Sequence, residues 1–193
     1  MYNGQKEGAG MNSSDKTKEK FVSSMTELMK KKPVDKITVT EIVEHSGMTR
    51  QTFYRCFLDK YDLVNWHFER LADKSFRQMG VSLTLHDGLL KKFQFLKKEK
   101  DFFCPAFQSE AYNSLVSYDF KCILEFYTNI IEKKTQRPLD TSTRFLLEMY
   151  CKGSIYMTVE WAKRNMDLSE EELADLLLKA LPAPLEELLS DLV

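Results

Sequence analysis

Glycine is scarce in this 193-residue chain: seven in all, three within the first ten positions, leaving Gly47, Gly80, Gly88 and Gly153 for everything else. So few glycines build no loop that cradles phosphates, and neither a G-x-S-x-G elbow nor an H-E-x-x-H pair occurs. Nucleotide-dependent, hydrolase and zinc-protease chemistry therefore find no foothold, and the chain does not read as an enzyme. The four cysteines, Cys56, Cys104, Cys122 and Cys151, form no C-x-x-C pair, and His45, His67 and His86 show no metal-ligand spacing. Structural zinc and a disulfide framework are both disfavoured, and neither metal nor cofactor is expected. No apolar run reaches the roughly 18 residues of a membrane span, and the N-terminal tail lacks the apolar centre of a signal peptide. A cytoplasmic location without membrane contact is expected. An excess of charge is missing too: the formal net charge is −1, weak ground for a nonspecific binder of polyanions.

What is present is apolar material in helical register. Hydrophobic residues make up 43% of the chain, ample for burial. No stretch alternates long enough to read as a strand, and no repeat period is visible. Residues 1–14 hold little that packs and are expected to be a disordered tail. A first helix from about Asp15 to Lys32 puts Phe21, Val22, Met25, Leu28 and Met29 on one face before Pro33 closes it. Further helices are expected from Lys60 to about Met79, around Leu89 to Leu96, around Phe102 and Phe103, and from Ala111 to Lys134. Another opens at Asp140 or Ser142 and runs through Trp161, and a last one opens at Ser169, where Glu172 completes a Ser-x-x-Glu box. Charge is unevenly spread, with 14 basic against 11 acidic residues over 1–79 and 14 against 18 thereafter. The N-terminal third can thus face phosphates while the remainder faces something else.

The segment from Val34 to Leu63 carries the sharpest pattern. Thr38 can cap one helix, with Glu41 completing a capping box and Ile37 and Ile42 as a hydrophobic staple. Thr49 can cap a second, with Met48 and Phe53 in the staple positions, and Asp59 a third, with Leu58 and Leu63. Gly47 supplies a left-handed turn between the first two. Three helix starts in so short a run make a helix-turn-helix the economical reading.

On the helix that opens at Thr49, Phe53 and Phe57 lie four residues apart and share a face that must bury against Ile42 and Val43. The opposite face then offers Arg50, Gln51, Thr52, Tyr54 and Arg55. Arg suits the two acceptors of guanine, and Gln the donor and acceptor of adenine. Thr49 and Tyr54 offer hydroxyls to phosphates, Lys60 an ammonium, and Thr38 joins this DNA-facing set from the preceding helix start. The competing reading is a surface helix hairpin that serves as a protein-interaction module without DNA readout. A steep salt dependence and a specific site would mark the DNA reader.

The run GMTRQTFYRCFLDKYDL, Gly47 to Leu63, resembles the recognition helix and the following helix start of TetR/AcrR-type transcriptional regulators. The likeness rests on Tyr54 and Phe57 in a Tyr-x-x-Phe pair, followed by Lys60 and Leu63. Upstream, KTKEKFVSSMTELMKKKPVDKITVTEIVEHSG looks like that family's first two helices. Cys56 stands where the family often has an aromatic or His, and Gln51 where a small residue is frequent, which bears on the sequence read. The resemblance implies an all-α fold: a three-helix helix-turn-helix domain over 15–74, joined by a long helix to a C-terminal bundle over 75–193 that binds ligand and dimerises. It further implies a homodimer on a palindromic double-stranded DNA operator, by default a repressor, controlled by a small-molecule effector.

Helices over roughly 140–165 and 169–180, joined by the short linker RNMDL, are expected to form an antiparallel hairpin, which the resemblance implies pairs with its copy. One recognition helix reads too few base pairs, whereas two about 34 Å apart read a two-fold site. The bundle is rich in aromatics and methionine, which make adaptable pocket linings although most such residues serve as core. Phe103, Tyr112, Tyr150 and Tyr156 are the candidate effector contacts, the tyrosines because a buried hydroxyl needs a polar partner.

Overall fold

Each of the three helix starts between Val34 and Leu63 is closed by the side chain its sequence position implies. The computed structural model describes residues 13–189. Thr38 Oγ1 accepts from Glu41 N (3.3 Å) while Thr38 N donates to Glu41 Oε2 (2.9 Å), a complete capping box. Thr49 Oγ1 accepts from Thr52 N (3.1 Å), and Asp59 Oδ1 accepts from Tyr61 N and Asp62 N (both 2.8 Å). Helix α1 is Ser13–Met29, α2 Val39–Ser46, α3 Arg50–Cys56 and α4 Lys60–Ala72. Gly47, at φ 66° and ψ 24°, ends α2 in the left-handed conformation that a β-carbon disfavours. The third staple does not form: Leu58 is 85% exposed, and its N–H is instead taken by Asp62 Oδ2 at 2.8 Å.

The head packs around aromatic edges. Phe21 of α1 meets Phe53 of α3 with ring centroids 5.3 Å apart and planes at 77°, and Phe57 at 6.3 Å. Ile42, Val43, Leu63 and Val64 complete this buried set. The four-residue spacing of Phe53 and Phe57 thus puts both inside, as a helical face requires.

Helix α4 stops at Ala72 rather than near Met79. The Ser75 hydroxyl donates to the Leu71 carbonyl (2.7 Å), and Lys74 N and Ser75 N reach carbonyls three residues back, so the last turn tightens into a short 3-10 segment, Phe76–Gln78. The helix is therefore about 20 Å long instead of 30 Å. Arg77, just beyond it, folds back onto Glu69 and Asp73, and Tyr118 also donates to Glu69.

The rest is a helical bundle: α5 Leu85–Lys98, α6 Lys100–Ala106, α7 Leu115–Thr135, α8 Thr141–Lys163, α9 Glu170–Lys179 and α10 Ala183–Leu189. Asp140 caps α8 and Ser169 caps α9, the latter as a full capping box. The expected hairpin of the two long C-terminal helices is only partly formed, because α9 packs chiefly on α5 and α8 chiefly on α7. Lys97–Glu170 (2.7 Å) and His86–Asp175 (3.4 Å) tie α9 to α5. Between α8 and the segment around α9, the Tyr150 hydroxyl donates to the Leu177 carbonyl and Trp161 Nε1 to that of Leu168, each at 3.0 Å. At the bundle's centre Lys92 of α5 pairs with Asp119 of α7 (3.1 and 2.8 Å), both nearly inaccessible, with the ammonium 5.7 Å from the ring centres of Phe68 and Phe76.

The buried apolar cluster is continuous from Phe21 to Leu189, so head and bundle share one core. Residues 1–12 of the expected tail lie outside the described residues, and Ser13 and Ser14 already belong to α1.

Candidate nucleic-acid interface

Because Phe53 and Phe57 anchor α3 from within, its other face is presented outward. Arg50, Gln51, Tyr54 and Arg55 are exposed and Thr52 is half-buried beside its cap Thr49, the two hydroxyls 3.0 Å apart. Tyr54 is 56% exposed while its ring stands edge-on to Phe53 at 5.5 Å, so the phenol projects outward from a fixed base. Arg50 Nη2 donates to Thr40 Oγ1 at 2.5 Å, bringing the starts of α2 and α3 side by side. Thr40 was not anticipated: nothing in its sequence context distinguishes it, and only the fold sets it against Arg50.

Thr38 lies exposed at the same edge, with its hydroxyl on Glu41. Hydrogen bonds from Lys32 and from the backbone and hydroxyl of Thr38 hold the Glu41 carboxyl down to about 2. It therefore stays ionised as the capping group at neutral pH.

Lys60 departs from its expected place at a phosphate. Its ammonium donates to the carbonyls of Val34 (2.8 Å), Asp35 (2.8 Å) and Ile37 (2.7 Å), which uses all three of its N–H groups inside the protein. Burial lowers its pKa from the ordinary lysine value, opposed by Asp35 and Asp59. Lys60 is a tie between α4 and the run leading into α2. Lys60→Met is expected to cost about 2 kcal/mol of stability. The salt slope of DNA binding should stay as in wild type, since no phosphate contact is removed. Denaturant melts and salt-titrated DNA binding check the pair of outcomes.

The head is fastened to the bundle by polar contacts. Asp35 accepts from Ser109 Oγ (2.5 Å) and the Tyr61 hydroxyl (3.0 Å), Asn113 Nδ2 donates to Asp59 (3.0 Å), and Asn65 Nδ2 donates to the Asn113 carbonyl (3.3 Å). The Ser109 hydrogen bond, ahead of Tyr61's, keeps the Asp35 carboxyl below the usual carboxylate value. His67 of α4 meets Glu99 at 2.5 Å and stacks on Phe103.

The four effector candidates scatter. Phe103, expected at the effector, is fully buried in ring contact with His67, Phe102 and Phe107, so it serves as core. Tyr112 is 87% exposed on the loop before α7, beneath the Lys121 ammonium, so its hydroxyl is not the buried one that the effector reading required. Tyr156 is 62% exposed on α8 and borders two open grooves of about 350 and 270 Å³. Tyr150 does line an internal cavity, but one of only about 20 Å³, and its hydroxyl is already engaged by Leu177. Lys92, Phe76 and Tyr127 line the same cavity and were missed. Only the tertiary arrangement sets them apart from other core residues.

Among the described residues no group of His, Cys, Asp and Glu side chains is arranged to hold a metal ion, and no helix is long and apolar enough to cross a membrane.

Comparison with known proteins places this geometry. A model described as bacterial regulatory proteins, tetR family, matches residues 23–65, and one described as transcriptional regulator C-terminal region, of the same family, matches residues 84–182. No curated protein sequence matches the chain. The fold is similar to that of the dihydroxyacetone kinase operon activator DhaS (TM-score 0.60, 19% identity, covering 89% of this chain and 97% of that one). It is also similar to NalD, the secondary repressor of the MexAB-OprM multidrug efflux pump in Pseudomonas aeruginosa (0.58, 16%, 88% and 96%). A third likeness is to Thermus thermophilus FadR, a TetR family transcriptional repressor in complex with lauroyl-CoA (0.53, 16%, 85% and 92%). At such identities these likenesses concern the fold, whereas the C-terminal match alone covers just over half of the chain. The protein is a member of the TetR family, a DNA-binding transcriptional regulator built of a helix-turn-helix head and a helical C-terminal domain.

Proposed function

We propose that this regulator binds a palindromic operator as a homodimer and reads it with the outer face of α3. Arg50, Gln51 and Thr52 address base edges, while Thr38, Thr49, Tyr54 and Arg55 hold the backbone on either side. The observation that carries this reading is the division of α3 into an inner face of Phe53 and Phe57 and an outer face of polar, exposed side chains. Residues 15–74 serve as the DNA-binding unit and 75–193 as the unit for effector and dimer, acting in the cytoplasm and, as the default direction, repressing. No catalytic step belongs to this reading.

The dimer face is assigned to α8. Phe145, Met149, Tyr156 and Met157 are large apolar side chains between 48% and 65% exposed on that helix. A second copy related by a two-fold axis would cover them and set two α3 helices about 34 Å apart. Thermus thermophilus FadR, with lauroyl-CoA bound, is a precedent for control by a small molecule. An effector here shifts DNA affinity to the extent that it prefers one arrangement of α4 over another.

Selection of bound fragments from genomic DNA, followed by salt-titrated binding to the selected site, tests the reading. Arg50→Ala is expected to cost about 1–3 kcal/mol and relax preference at one base pair per half-site. Wild-type affinity and selectivity in that variant, at matched salt, would remove Arg50 from the base-reading set.

A further inference from the structure

Tyr127 lines the 20 Å³ core cavity and is 1% exposed, yet among the described residues the hydrogen-bond partner of its hydroxyl is Met79 Sδ, at 4.0 Å. A thioether is a weak acceptor, so this buried donor is poorly satisfied. Burial drives its pKa well above the ordinary tyrosine value, which keeps the O–H in place as a donor. Met79 is 2% exposed and lies across Gly88: a β-carbon there would stand 2.4 Å from Met79 Cγ and 2.5 Å from Cε. The absence of a side chain at 88 is what admits the methionine. Methionine is unbranched and flexible, the side chain most easily swung aside from a core.

Charge narrows what can replace it. Lys92 and Asp119 neutralise one another on the cavity's flank, and a charged guest would add an uncompensated charge to an apolar interior. A cavity that takes up benzene measures about 150 Å³, so one of 20 Å³ accepts a comparable guest only after a neighbouring side chain has given way, and Met79 is the flexible one that Tyr127 touches. We propose that the space filled by the Met79 side chain, opened towards the cavity that Tyr127 also lines, is the binding site for a small uncharged ligand. The ligand is mainly apolar and bears one oxygen acceptor for the Tyr127 hydroxyl, as a ketone, aldehyde or ether does. This rests on the C-terminal unit being the effector domain. Met79 directly follows the 3-10 segment whose Arg77 grips Glu69 of α4, so expelling it pulls on the helix that carries the head.

Cyclohexanone and methylcyclohexane serve as probes on the full chain, with the nine methionine methyls labelled for NMR and Met79 assigned through Met79→Leu. Cyclohexanone is expected to move the Met79 methyl resonance and, relative to methylcyclohexane, to bind several-fold and up to about tenfold more tightly than the water-to-hydrocarbon partition of the two probes alone dictates. Tyr127→Phe should abolish that preference, and Met79→Ala should bind both probes more tightly than wild type. Gly88→Ala should shift the Met79 methyl towards its ligand-bound position with no ligand present, which covers the case in which Met79→Ala fails to fold. A Met79 resonance that ignores both cyclohexanone and Gly88→Ala, or a ketone preference that survives Tyr127→Phe, overturns the proposal. Genomic fragment selection is scored separately. A chain that selects DNA but takes up no ketone loses this pocket alone, and one that takes up ketone but selects no DNA loses the operator reading alone.

Discussion

Asp119→Ala is expected to destabilise the protein by about 3–5 kcal/mol, because it leaves the Lys92 ammonium buried without its counter-charge. Asp119 is fully inaccessible and, among the described residues, accepts both hydrogen bonds of the Lys92 ammonium, at 3.1 and 2.8 Å. The rings of Phe68 and Phe76, 5.7 Å away, offer the cation far less than a carboxylate does. Removing the pair together tells a different story: in Lys92→Met with Asp119→Leu, the desolvation of both charges disappears, and most of the loss should be recovered. Urea melts of the three proteins at one matched protein concentration check this, since a dimer's apparent stability depends on concentration. A single variant as stable as wild type would mean that water reaches the ammonium.

The second large effect belongs to the head. Phe53→Ala should cost about 3–5 kcal/mol, the range for truncating a fully buried aromatic. Phe53 is inaccessible and touches three other rings, those of Phe21, Tyr54 and Phe57. Its loss removes the anchor of α3 and the base on which Tyr54 stands. Operator binding should fall together with amide-exchange protection in α3, while protection in α7 and α8 persists. Equal loss of protection throughout would show that the shared core unfolds as one unit, with no separate melting of the head.

The helical head was legible because its signals are local. Thr38, Thr49 and Asp59 cap the turns that follow them, and Gly47 reverses the chain within one residue, so neighbouring residues suffice to predict them. The outward face of α3 follows from the spacing of Phe53 and Phe57 by the same logic. Distance along the chain marks where legibility ended. The carbonyls that hold Lys60 lie 23 to 26 residues away, and no local rule chooses them over a phosphate. Tyr112 and Phe103 are both aromatic in similar company, yet one is on an exposed loop and the other is sealed in the core, a difference set by how α6 and α7 dock. Helix α4 fell short of its expected end because the backbone from Lys74 onward bonds three residues back instead of four, a change of pitch that apolar periodicity does not report. The pairing of α9 with α5 was hidden for a related reason, since an amphipathic stripe says that a partner exists but not which one.

The Lys60 tie sets the gearing of the molecule. By clasping the carbonyls of Val34, Asp35 and Ile37, it fuses the start of α4 to the strap that leads into α2, so a hinge at their junction has nowhere to bend. Tilt imposed at the far end of α4 then arrives undiminished at the head, and over a lever of about 20 Å, roughly 6° of rotation displaces the tip by about 2 Å.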